Sequence, residues 1–553
     1  MKRLWIIAGL LILGVGATAE PAVEEDDLSA LVLKLADEDA AVRAKAIQDL
    51  VLTGDHRLEN FFEQYRSGAL YLWEGRPVLG GDIRMDDELD EYLPLLDVFS
   101  GEPILSEAGQ PLESLIDDVI EVEVGSPERK LARAAKFRVG LASPNPQTRL
   151  ASVKRLGDPP RKSEVLTDLL ALHENDPVKK IQYTALESAS LIRMTDASLP
   201  PEEREAAARQ LGDLDSARAL AVLREMVRNK EIPKERLPAY EAVIVQIEKY
   251  QGWVSLFDTI KRGLSSGSIL ILMALGLAVT FGMMGVINMA HGEMMMIGAY
   301  TTFCLQLLFG HTSSDANNWF FVFALPLSFL VAAGIGGLIE FGIVRHLYRR
   351  PLESLLATFG ISLVLIQLIR LVFGDNQASN SPTWLVGYVE VMQDMVLPYA
   401  RVFIFLLTVV AVLGIAGLMK FTTLGLHMRA TMQNRSMAQA MGVNTRMIDR
   451  LTFMLGSGIA GVAGCAITTI GGITPDMGQN YIIDSFLVVV AGGVGKLVGV
   501  ICSGLGLGVI SQTLEGYWLS PVWSKIVILM LLVAFIQFKP AGLFPPKGRL
   551  ADD

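Results

Sequence analysis

The chain is poor in the residues from which catalytic centres and covalent frameworks are built. Its 553 residues include three cysteines and six histidines. Cys304, Cys465 and Cys502 all lie in the second half, so the first half has no disulfide framework. Small buried thiols are the expectation for all three. His56 and His173 stand apart from any cysteine, and no nucleophile–base pair or metal-ligand set is apparent, which argues against an enzyme. A phosphate loop is missing too. Ala491-Gly-Gly-Val-Gly-Lys496 lacks the Ser/Thr after lysine and the required glycine spacing, and it sits inside an apolar run. With no Walker motif, the chain does not hydrolyse ATP itself. Nor is there a basic footprint for nucleic acid, since the formal net charge is −11.

What is present is a sharp division. Apolar residues make up 51% of the chain. Its mean hydropathy is +0.39. The charge, however, is uneven: residues 20–250 carry a net −16 and residues 251–553 a net +3. An acidic block therefore precedes a nearly neutral, membrane-type block. Residues 1–19 read MKRLWIIAGLLILGVGATA, two cations before a short apolar run and a small-x-small end. That pattern predicts a signal peptide cleaved after Ala19, with residues from Glu20 onward starting outside the cytoplasmic membrane.

Residues 20–250 predict a mostly helical domain. The stretches starting at Asp39, Pro144 and Asp176 each place Pro or Asp before a helix, with a basic residue in its first turns. They resemble HEAT-type repeats, whose helix pairs bury their apolar faces by stacking. Residues 66–126 interrupt them with Gly- and Pro-punctuated pieces such as Leu70-Tyr-Leu-Trp-Glu-Gly-Arg-Pro, consistent with a small β insertion.

From Leu264 the pattern changes. Nine apolar segments follow, at about 264–287, 289–309, 320–343, 355–373, 401–420, 451–471, 481–495, 497–514 and 523–538. The seventh and eighth are short and Gly-rich, and suit broken or re-entrant elements. Links 344–353 and 421–450 and the C-terminal tail are basic, whereas links 310–319 and 374–400 carry Asp315, Asp375, Glu390 and Asp394 with no Lys or Arg. The positive-inside rule puts the basic set, including the C-terminus, in the cytoplasm. Residue 260 then lies outside, in agreement with the signal peptide.

Several polar groups interrupt this half. Asn288, His291 and Glu293 lie in a break between the first two segments. They suit a capped helix start better than a metal site, and are candidates to shape a pathway. Glu340, near Arg345 and His346, suits a structural pair. Gln367, Arg370 and Asp484, near segment ends, are pathway candidates. Gly456, Gly458, Gly461 and Gly464 predict close helix packing. No clear inverted repeat is visible. The longest polar stretch starts at Thr423 and carries Arg429, Arg435, Arg446 and Arg450 against one acid, Asp449. Asn434 can cap a short helix through Met441, with Met437 and Met441 on one face and Gly442 ending it. Such a helix suits a knob that docks in a partner's groove.

Ile287-Asn-Met-Ala-His-Gly-Glu through Tyr300 resembles the signature of branched-chain amino-acid-type (LivH/LivM-like) ABC-transporter permeases. So do Arg350-Pro351, Leu356-Ala-Thr-Phe-Gly-Ile, Gly425-Leu-His-Met-Arg-Ala430, Met441-Gly-Val-Asn, the 471–478 run, Val490-Ala-Gly-Gly-Val-Gly and Lys539-Pro-Ala-Gly-Leu-Phe544. Within that family, the 479–490 run and Phe535-Ile-Gln-Phe are most similar to the urea-transporter permease subgroup. Met289 stands where the family often has an aromatic. The resemblance implies an all-α permease domain at 260–547 with about 8–9 spans; the core family generally lacks a block like 20–250, which its own residues mark as an exported, mostly helical HEAT-like domain. It implies an importer subunit for urea or a short amide, working by alternating access with no cofactor of its own. A second permease subunit, cytoplasmic ATPases that consume ATP and a periplasmic solute-binding protein would be its partners. The ATPases would engage the 421–450 loop, with Arg429, Arg435, Met437, Met441 and Gly442 on the coupling surface. Branched-chain amino acids as cargo, or an ATP-independent channel or carrier, are the alternatives.

Overall fold

A computed structural model of the chain describes residues 25–544 apart from 86–90, 107–108, 311–317, 349, 393, 518 and 540–541. Residues 1–19, where a signal peptide is expected, and Asp315, Arg349, Lys547 and Arg549 lie outside the described residues. Two compact units divide at Gln251/Gly252.

The first unit opens with α1 (Glu25–Leu33), α2 (Ala40–Leu52) and α3 (Leu58–Ser67), followed by an antiparallel sheet of β1 (Leu70–Trp73), β2 (Arg76–Gly80), β3 (Arg84–Met85), β4 (Glu91–Leu96), β5 (Glu113–Leu115) and β6 (Ile120–Glu121). The strand order is β3-β4-β2-β1-β6, with β5 also on β4. The β1–β2 turn pairs Trp73 with Arg76 around Glu74 and Gly75, both at positive φ, as a two-residue hairpin turn needs. The Gly- and Pro-punctuated interval is thus a sheet. Helices resume with α4 (Ser126–Val139), α5 (Pro146–Leu156), α6 (Leu166–Asn175), α7 (Lys179–Thr195), α8 (Pro201–Asp213) and α9 (Ala217–Arg228).

Two of the sequence-similar helix starts share one geometry. Arg43 donates to the carbonyls of Asp37 and Glu38, six and five residues back, and to Glu128. Arg149 donates to the carbonyls of Ser143 and Pro144, again six and five back, and to Asp176. Each arginine therefore ties its own entry loop to a later helix start. The Glu128 and Asp176 carboxylates are buried. Arg43 holds the Glu128 carboxyl below its ordinary 4.5, so this pair stabilises the unit above that pH and the contribution is lost as pH falls further.

The second unit is a helical bundle. It comprises the distal part of α10 (Leu237–Met284), then α11 (His291–Leu308), α12 (Trp319–Gly342), α13 (Pro351–Phe373), α14 (Tyr399–Phe421), α15 (Thr423–Gln433), α16 (Arg435–Ala440), α17 (Thr445–Ile467), α18 (Met477–Gly492), α19 (Leu497–Tyr517) and α20 (Pro521–Phe538). Among the described residues, seven helices are long and apolar enough to cross a membrane, fewer than the eight or nine expected. The difference lies in α11 and α18. The first carries His291, Glu293 and Gln306 among its 18 residues, and the second has only 16 residues, or about 24 Å of rise. Both are nevertheless largely buried among longer helices. Of the three cysteines expected to be buried only Cys465 is; Cys304 on α11 and Cys502 on α19 are exposed, because both lie on outward faces of their helices.

Glycines set the packing. A Cβ on Gly298 would meet the Gly461 backbone, one on Gly461 the Ser328 carbonyl, and one on Gly464 the Met295 carbonyl, so α11 and α12 press backbone-close on α17. On the other side Gly267, Gly504 and Gly508 bring α19 equally close to α10, and α18 packs on α10 through Leu270, Ala274, Ile482 and Val489. Helices α10 and α17 cross at Gly276/Gly456, and α11 meets α18 start to start at Gly292/Gly478. The contacts therefore interchange α10 with α17, α11 with α18 and α12 with α19.

The connections gather at two ends. At one, Gln377 pairs with Ile473, Ser381 bonds the Thr469 carbonyl at 3.0 Å, Asn380 the Gln306 side chain at 3.1 Å, and Lys261 the Val396 carbonyl at 2.7 Å. At the other, Gly282, Met432, Gly493, Gly495 and Gly542 approach one another. These are the acidic and the basic sets of links.

Candidate functional site

The basic end holds the most developed constellation. The stretch from Thr423, expected to be a loop, is helical almost throughout, because each start is capped by the residue before it. Thr422 Oγ1 accepts from Gly425 N–H at 3.1 Å, Asn434 Oδ1 from Met437 N–H at 2.9 Å, and Asn444 Oδ1 from Met447 N–H at 3.2 Å. Gly442, at φ +87°, reverses the chain after α16. Helix α15 was missed in the sequence, although Leu424, Met428 and Met432 recur at helical spacing.

The arginines divide into two classes. Arg429 is exposed. Arg435 instead turns inward, bonding the buried Asp449 carboxylate of α17 and lying 5.2 Å over the Tyr348 ring. Tyr348 donates to Glu340 at 2.7 Å, at the end of α12. Arg450 approaches the other Glu340 oxygen at 3.6 Å and stacks 5.0 Å over Phe341, which Arg345 also covers at 4.6 Å. Asp449 and Glu340 are each 2% exposed. One network thus ties α16 to α12, to the link after it and to α17. The ion pair expected at Glu340 exists, but its cation is Arg450 rather than Arg345. What faces outward is methionine: Met437 is 61% and Met441 79% exposed, with Met432, Met447 and Leu426 also open. Flexible thioethers on an exposed surface suit a protein contact.

The polar break before α11 is buried in the bundle. Asn288 Oδ1 accepts from Ala290 N–H at 3.0 Å, Met289 N–H bonds Thr358, His291 Nε2 lies 3.1 Å from the Met273 carbonyl, and Glu293 Oε1 accepts from Ser362 at 2.7 Å. These bonds hold the α11 start against α10 and α13. One atom of each remains without a partner, namely Asn288 Nδ2, His291 Nδ1 and Glu293 Oε2. Among the described residues no group of three His, Cys, Asp or Glu is placed to hold a metal ion.

The other pathway candidates separate. Gln367 is exposed on α13, away from this seam, and Arg370 pairs with Asp375 at 2.8 Å. Asp484 lines a cavity of about 470 Å3 between α10, α18, α19 and α20. Sequence order gave no sign of that grouping, since Ser266, Asp484, Glu515 and Lys525 come from four helices.

The family model described as the permease component of the branched-chain amino acid transport system matches residues 259–536. The chain belongs to this permease family. The permease family member is a transport subunit and not an enzyme. The match runs from within α10 to within α20. The high-affinity branched-chain amino acid transport system permease protein LivH of Escherichia coli is 29% identical over 292 residues, covering 51% of this chain and 93% of the relative. BraD of Pseudomonas aeruginosa is 30% identical over 293 residues, with coverage of 51% and 93%. A probable LivH of Methanocaldococcus jannaschii is 28% identical over 297 residues, with coverage of 50% and 88%. No solved structure matches.

Proposed function

We propose that this chain is a membrane subunit of an ABC importer for a small nitrogen-bearing solute. Cytoplasmic ATPase subunits would dock on α16 and drive alternating access. The carrying observation is the arrangement at the basic end: an exposed Met437/Met441 face on a capped helix whose Arg435 grips the span-bearing helix α17. A push on that face reaches α12 and α17 through Asp449, Tyr348 and Glu340 instead of being absorbed by a loose loop. A second permease subunit completes the translocation unit. A periplasmic solute-binding protein delivers the cargo, and this chain binds no cofactor. The N-terminal unit is read as an exported HEAT-like scaffold, supported by the equivalent Arg43 and Arg149 ties.

Urea or a short amide is the cargo favoured by the resemblance at 479–490 and 535–538. Branched-chain amino acids are the second reading, favoured by the names of the LivH and BraD relatives. Co-purification of the ATPase subunit with the tagged full chain tests the docking face. Met441→Asp is expected to reduce recovery at least about tenfold, equivalent to about 1.4 kcal/mol of lost contact, with membrane abundance unchanged. Undiminished recovery with Met441→Asp and Met437→Asp combined would refute the docking assignment.

A further inference from the structure

We infer that the cavity between α10, α18, α19 and α20 is a solute site for a small molecule bearing N–H donors beside a carbonyl or carboxylate oxygen. This rests on the importer reading above and adds where the cargo is held. Its volume of about 470 Å3 lies within the roughly 300–1,000 Å3 typical of small-ligand pockets. Leu270, Leu487, Leu507 and Ile528 contribute apolar wall, and Asp484 and Lys525, three residues before Leu487 and Ile528 on the same helices, add opposite charges.

Lys525 Nζ stands 3.9 Å from Asp484 Oδ2, close enough to attract and too far for a hydrogen bond. A solute in the cavity can bridge the pair from the side, with an N–H toward Asp484 and an adjacent oxygen toward Lys525, adding two charge-assisted bonds. Glu515 is already held, accepting from Ser511 at 3.2 Å and from Gln512 at 3.1 Å, so it stays in place as a second acceptor. The arrangement needs both donor and acceptor in one small molecule, which urea, short amides and α-amino acids all supply. The apolar wall separates them, because only an amino acid with a branched side chain would use it.

The site also lies where a delivered solute would arrive. Ser266 of α10 is five residues from Lys261, which bonds the link at the acidic end. Deeper in the bundle, the Gly276/Gly456 crossing is packed backbone to backbone.

The test measures uptake of labelled urea and labelled leucine by cells carrying the intact transporter, alongside equilibrium binding of both to the detergent-purified full chain. Asp484→Asn and Leu507→Trp, which fills the cavity, are expected to raise the KM and the dissociation constant of the cargo at least tenfold. Lys525→Gln is expected to do so for leucine more than for urea. Asp484→Glu, which keeps the charge, should restore most of the loss, and Leu371→Ala on the exposed face of α13 serves as control. ATP-dependent uptake with KM and binding unaltered in all three variants would overturn the site and leave the importer reading standing. Binding weakened as expected, with uptake that persists without the ATPase, would keep the site and overturn that reading. Absence of saturable binding for both solutes also overturns the site.

Discussion

Arg435 shows how far a single residue's role depends on its partner. In the sequence it is one of four arginines in a basic stretch, indistinguishable from Arg429. In the fold its guanidinium pairs with Asp449 and lies over Tyr348, while the side chain stays 40% exposed, so it links the surface of α16 to α17. Asp449 is 2% exposed but the Arg435 side chain is 40% exposed, so solvent screens the pair and removing the cation costs less than the about 3–5 kcal/mol of a fully buried pair. Arg435→Glu sets two carboxylates together and is expected to abolish uptake while the chain remains in the membrane. Pairing it with Asp449→Arg should recover a measurable fraction, because the swap restores attraction without the original Tyr348 stacking. Arg435→Lys should fall between wild type and Arg435→Glu, since an ammonium has no planar fork. Full uptake by Arg435→Glu would show that the network carries no force.

At the scale of elements, glycine and caps account for both what the sequence discloses and what it hides. Gly456, Gly458, Gly461 and Gly464 announce a tightly packed helix, and α17 is one, with α11 and α12 backbone-close on it. Asn434, the Met437/Met441 spacing and Gly442 likewise announce α16. Helix α15 stayed hidden because its apolar positions are few and interrupted by His427 and Arg429. The count of seven leaves out α11 and α18, which run between the two ends but are polar-bearing or short and lie buried among longer helices, where protein replaces lipid as the apolar surrounding. This makes a sharp contrast testable. Gly298→Leu drives a side chain into the Gly461 backbone and is expected to abolish stable insertion, losing more than the about 1–3 kcal/mol of ordinary overpacking because no side chain there can yield. Gly334→Leu, on α12 with open space around it, should leave abundance and heat stability near wild type. Equal loss from both, measured by detergent-resistant monomer recovery, would contradict the close-packed seam.

For the whole molecule, the decisive point is that charge and contact sort the links identically. Positive charge alone divides them into a basic and an acidic set, and hydrogen bonds at Gln377, Ser381, Asn380 and Lys261 hold the acidic set together at one end. Loop charge is legible residue by residue, whereas the cavity around Asp484 was not, because it draws on helices 260 residues apart in sequence. The positive-inside rule then supplies a direction. Applied to an α10 that enters at the acidic end, the rule leads us to propose that the N-terminal unit starts on the outer side and that Met441 faces the cytoplasm. With cysteine placed at Glu390, Glu74 or Met441, a membrane-impermeant maleimide applied to intact spheroplasts should label the first two. Met441→Cys should react only after the membrane is opened. Labelling of Met441→Cys in sealed spheroplasts would invert the topology and remove the ATPase from reach of α16. Labelling at Glu390 with none at Glu74 would keep the permease orientation and place the acidic unit on the wrong side for a role beside a periplasmic receptor.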